Sequence, residues 1–125
     1  MPSTDNGNNF LVLDLHPGAD FDSSGATDVN NVTTTPLADG VLITFKVTGQ
    51  ASDTVGTYAV IWEVSVTRTS AGQSVSWTMV NLNGRIDPAS GWRLIEGRAV
   101  NDSGQVLCDS IFGGKSRPVL LTPNP

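Results

Sequence analysis

Strict alternation of apolar and polar residues over three separate stretches is the feature that most limits what this chain can become. In "VLITFKVT", Val41, Ile43, Phe45 and Val47 fall on one side; Thr44, Lys46 and Thr48 fall on the other with Leu42. "YAVIWEVSVT" repeats the pattern, with Tyr58, Val60, Trp62, Val64 and Val66 opposite Ala59, Ile61, Glu63, Ser65 and Thr67. In "SVSWTMVNL", Val75, Trp77 and Met79 oppose Ser76, Thr78 and Val80. Successive side chains of a strand point to opposite faces, so each stretch reads as a strand with one buried face.

The second and third stretches are spaced for a hairpin with a tight turn at Ala71-Gly72. That turn places Val66 across from Trp77, Val64 across from Met79, Ser65 across from Thr78 and Ile61 across from Leu82. Apolar then meets apolar and polar meets polar along the ladder. Further strands are expected over residues 10–15, 29–35, 92–100, 105–112 and 118–122. Turn residues separate them at Asp39-Gly40, Asn83-Gly84, Asp87-Pro88 and Asn101 to Gly104.

The chain has only two Lys and two Glu, is rich in Ser, Thr, Asn and Gly, and shows no helical stripe over a dozen residues. About eight short strands at this spacing imply an all-β fold. The expected form is a single antiparallel β-sandwich, jelly-roll or immunoglobulin-like, with a small closed β-barrel as the alternative. Its 125 residues suit one domain over 10–122, between a polar N-terminal arm at 1–9 and a short tail at 123–125.

The net charge of −5 is unevenly spread. Residues 1–67 carry eight acidic side chains against Lys46 alone, while residues 68–125 carry four acidic against six basic. A protein without a dominant basic face is a poor partner for nucleic acid. Ordinary solubility accounts for an acidic surface; complementary charge between neighbouring copies is the sharper reading. Apolar runs such as residues 10–13 are too short to span a membrane, and the start "MPSTDNGNN" has neither the basic nor the apolar part of a secretory signal. A soluble chain is expected. Cys108 is the single cysteine, so an internal disulfide is excluded.

The densest set of oxygen donors is "DFDSSGATDVNN", residues 20–31. Asp20, Asp22 and Ser24 stand at alternate positions, Gly25 supplies a sharp turn, Ala26 offers a carbonyl and Asp28 follows. The stretch resembles the opening half of the EF-hand calcium loop, which implies Asp20, Asp22, Ser24 and Asp28 as ligands of a weakly held calcium ion. Asn31 stands where the closing bidentate Glu belongs, and a solvated connection is the plainer reading of the same residues. No other cofactor is implied. "IFGGKS", residues 111–116, shares the end of a phosphate-binding loop, but Asp109 replaces its first Gly and Pro118 forbids the helix that must follow. It reads as a turn between strands.

Catalytic groups are sparse. His16 is the only histidine, Cys108 alternates as a small core residue, and Glu63 and Glu96 are the one carboxylate pair suited to meet inside a barrel. Trp62, Trp77 and Trp92 recur fifteen residues apart. The stretch "VGTYAVIWEV…SVSWTM…GRIDPASGWRL" resembles the second half of the avidin family of biotin-binding barrels. That resemblance implies a ligand pocket walled by these three rings. Hydroxyl residues of the family's pocket are replaced here by Gln73 and Val75, and core packing is the plainer use of the rings.

Three functions follow as expectations. First stands a non-enzymatic structural or assembly module in a multi-copy structure such as a virus or phage particle (capsid, decoration or tail component), with copies of itself or another assembly protein as partners. Next comes a small-ligand- or sugar-binding barrel or sandwich, avidin-like or lectin-like. Last is an enzyme of the cyclase or isomerase type that works by cavity shape.

Overall fold

The computed structural model describes residues 11–124; the expected polar arm at 1–9 lies outside them. The described residues form eight strands and two short 3-10 turns. In order these are β1 (Ser23–Val29), β2 (Thr33–Leu37), β3 (Gly40–Ser52), β4 (Thr57–Thr69), β5 (Gly72–Asn81), β6 (Trp92–Val100), β7 (Val106–Phe112) and β8 (Lys115–Leu121). They build two antiparallel sheets that pack as a sandwich and do not close into a barrel.

The large sheet runs β1–β3–β4–β5, and β2 shares with β1 the same edge of β3. β1 takes the second half of that edge, Val29 opposite Val47, and β2 takes the first half, Thr33 opposite Thr44. The small sheet runs β6–β7–β8.

Between the sheets lie Ala59 and Ile61 of β4, Leu82, Leu94 and Val100 of the following chain, and Val106 and Cys108 of β7. The other face of β4 is also buried: Val60, Trp62, Val64 and Val66 pack with Val47 and Ala51, and Leu13, Leu15 and Phe21 lie against them. The molecule therefore has three layers, an extended cover, the large sheet and the small sheet. Burial on both faces explains why β4 runs nearly continuously apolar from Tyr58 to Trp62.

Four expectations change in the structure. Residues 11–15 form no strand; they alternate because Leu13 and Leu15 bury against the large sheet, while the Trp62 indole N–H donates to the Leu15 carbonyl at 2.7 Å. Residues 20–31, read as a connection, contain β1. The single strand expected over 29–35 is interrupted before β2, at Asn30, whose side-chain oxygen accepts the Lys46 N–H at 2.8 Å and extends the pairing past the end of β1.

The β4–β5 hairpin is real, with its two-residue turn one position earlier than expected. Thr69 pairs with Gly72 across the two residues Ser70 and Ala71, so Val66 faces Val75, Val64 faces Trp77 and Trp62 faces Met79. A two-residue slip leaves every side chain on its original face, so alternation cannot separate the two registers. The turn decides. Gly72, at φ +129°, takes a backbone conformation that a side chain disfavours.

Candidate functional site

The acidic stretch is where sheet meets sheet. The Thr27 hydroxyl lies against the carbonyl oxygens of Thr48 and Gly97. Asp28 Oδ2 accepts the backbone N–H of Val100 at 2.9 Å. Asn31 donates its backbone and side-chain N–H groups to the two oxygens of Asp102, at 2.9 and 2.8 Å. β1 has no backbone ladder on this side; its side chains bond β6 instead, and Asn31 just beyond it bonds the β6–β7 turn. On the far side Asn83 does the same, its amide bonding both the N–H and the carbonyl of Leu94 at 2.8 and 2.9 Å.

The four calcium candidates are distributed by this arrangement. Asp20 and Asp22 precede β1, and Asp28 sits near its end. Six residues along a strand span roughly 20 Å, whereas ligands of one calcium ion lie within about 5 Å of each other. Asp28 is thus not brought to Asp20 and Asp22. Ser24 Oγ lies 2.7 Å from His16 Nδ1, and His16 Nε2 lies 3.1 Å from the Phe21 carbonyl. A carbonyl only accepts, so Nε2 carries the proton. The ring pins the cover segment to β1. Among the described residues no group of three or more His, Cys, Asp or Glu side chains sits together.

The tryptophans do not converge. Trp62 is buried in the face under the cover, and Trp77 pairs across from Val64 on that same face, half-buried. Trp92 lies in the other sheet, stacked on Phe112 with ring centroids 4.6 Å apart, and Arg117 sits over the Phe112 ring at 5.4 Å. Glu63 and Glu96 are likewise apart: Glu63 pairs with Lys46 at 3.8 Å, and Glu96 pairs with Arg98 at 3.1 Å. Cys108 is fully buried, and burial together with Asp109 pushes its thiol up to about 11, where it is no nucleophile near neutrality. Gly113 and Gly114 form the β7–β8 turn, and Lys115 and Ser116 open β8.

Apart from Glu63, the residues that line one further hollow are not candidate site residues in the sequence. A cleft of about 530 Å³ opens between the large sheet and the end of β8. Ile61, Val80 and Leu121 form its apolar floor, and Lys46, Glu63, Arg85 and Asp87 its charged rim. No tryptophan lines it. Lys46 and Glu63 face each other across β3 and β4, where alternation placed each on the face opposite its strand's main apolar row without pairing them; Arg85 and Asp87 come from the connection to β6, which carries no periodic signal.

The large sheet also outruns the small one. β3 and β4 each have 13 residues, and only their Thr48–Ile61 end faces the small sheet. Beyond it, Thr33, Thr44, Ser65 and Ser76 form one row across four strands, and Ser74, Ser76 and Thr78 are exposed. Among the described residues there are three ion pairs, Lys46–Glu63, Arg98–Glu96 and Arg98–Asp109. Arg68, Arg85, Arg93, Lys115 and Arg117 therefore have no carboxylate within 4.0 Å among those residues. No family model, curated protein or solved structure matches this chain.

Proposed function

We propose that this chain is a non-enzymatic structural module that works in many copies, as a β-domain subunit of a virus or phage particle or a comparable assembly. The overhang of the large sheet carries this reading. A sheet that extends past its own sandwich leaves a hydroxyl face that the described residues do not cover, and the uneven charge of the chain favours a second copy as its occupant. Among the described residues, cations gathered in the later half of the chain and carboxylates in the earlier half are largely without ion-pair partners, so pairing between molecules is open to them. His16 and Cys108, the residues best suited to catalysis, are engaged in holding the fold.

Sedimentation of the full chain over a range of protein and salt concentrations tests the proposal. Species larger than the monomer are expected, weakening as salt rises because exposed charge pairs are screened. A monomer at every concentration contradicts it.

The cleft favours a second reading, a small amphipathic ligand with an apolar body on Ile61 and Val80 and a charged end at Arg85 or Asp87. Sugar stacking on tryptophan finds no support there. Chemical-shift changes confined to Ile61, Val80 and Leu121 on adding such molecules are the expected sign.

A further inference from the structure

We infer that the outer edge of β5 is the joint between two copies of this chain, paired antiparallel about a two-fold axis so that their large sheets become one. The inference deepens the assembly reading, on which it rests for the partner's identity, and names the edge, the partner and the symmetry.

Comparison of the edges leads to this assignment. An unpaired strand edge offers a row of N–H and C=O groups to any passing strand, and proteins blunt such edges with charge, proline, bulges or cover. β2 carries Pro36 within its five residues. β1 has a bulge between Ala26 and Asp28, and its free side bonds β6 through Thr27 and Asp28. β6 has two bulges and carries Arg93, Glu96 and Arg98. β8 carries Lys115, Arg117 and Pro118.

β5 has none of these devices. Its ten residues, "GQSVSWTMVN", hold no charge and no proline, and they pair with β4 in unbroken register. No described strand lies on its other side. An edge of this length, left open where every other edge is guarded, is what a built-in pairing site requires.

The chemistry of the edge selects a second copy. Antiparallel self-pairing sets each residue against one of its own strand, so a charged strand would oppose like charges. β8 fails on that count, since both its charges are positive. β5 passes. Registers centred on Ser76 or Trp77 place Val75, Trp77 and Met79 of both copies on one face, continuing the apolar rows of β3 and β4. The hydroxyls of Ser74, Ser76 and Thr78 continue the opposite face. A two-fold joint of this kind uses the same patch twice and closes, so the unit it makes is a dimer.

Light scattering on the full chain, with a double variant Ser74→Lys/Ser76→Lys, tests the joint. These side chains are exposed in the single molecule, so folding is retained, while lysines facing across the two-fold repel. The wild type is expected as a dimer, the double variant as a monomer with an unchanged circular-dichroism spectrum. Ser116→Lys on the β8 edge is expected to remain dimeric. If the double variant does not fold, Ser76→Asp alone carries the same test. A wild-type chain that stays monomeric overturns the joint and the assembly reading together. Wild-type oligomers that survive the lysines overturn the joint alone.

Discussion

Asp28 Oδ2 accepts the backbone N–H of Val100 at 2.9 Å, a bond between residues that lie in different sheets and 72 positions apart in the chain. Removing the carboxylate leaves that N–H half-buried without a partner. A hydrogen bond to a charged group contributes about 1.5–3 kcal/mol. Asp28→Ala is therefore expected to lower stability by about 2 kcal/mol in denaturant unfolding, and Asp28→Asn, which keeps an acceptor oxygen, by less. Equal stability of all three proteins would contradict the assigned role.

Gly97 marks the closest approach of the sheets. A Cβ there would lie 1.8 Å from Thr48 Oγ1, which is fully buried and donates to the Val60 carbonyl at 2.9 Å. Overpacking a tight site costs about 1–3 kcal/mol. Gly97→Ala should show a loss in that range, whereas Gly84→Ala, where a Cβ meets nothing within 4 Å, should be close to neutral.

These two sites show where sequence reading stops. β3 and β5 were legible because apolar residues keep to one face, and β4 because Val60, Trp62, Val64 and Val66 hold that period while its second face is apolar only at Ala59 and Ile61. β6 was legible over its full length, Trp92–Val100. β1 was not, because "SSGATDV" joins the fold through Thr27 and Asp28 hydrogen bonds rather than an apolar face, and hydroxyls and carboxylates in a row look like a solvated loop. The same residues suggested calcium for the same reason. The hairpin register escaped by two residues because faces repeat with that period. The uncharged run of β5 was visible in the letters, but only the strand order shows that no other described strand pairs with its outer edge.

Asp53 closes the β3–β4 turn. Its Oδ1 accepts the N–H groups of Val55 and Gly56 at 2.8 and 3.0 Å, with the Tyr58 hydroxyl at 3.2 Å. The backbone bonds from Val55 and then Gly56 hold its pKa below the ordinary value of 3.8. The unfolded chain thus binds the proton more readily than the folded one. This stabilisation is complete above 3.8 and is lost as pH falls through the lowered folded value. Asp53→Asn should flatten the acid limb of a stability–pH curve and leave its shape near neutrality unchanged.

Calcium should have no hold on the native chain. With Asp28 bonded to Val100 and separated from Asp20 and Asp22 along β1, millimolar calcium is expected to leave the melting temperature where it was. A rise that Asp20→Asn abolishes would reinstate the metal reading.

Hydrogen exchange at the strand edges is the most direct measurement of how copies join. At concentrations where the chain is associated, the β5 amides from Val75 to Met79 should exchange slowly, and dilution should speed them while β8 stays unaffected. Fast exchange along β5 in the associated protein, no slower than along β8, would contradict the joint.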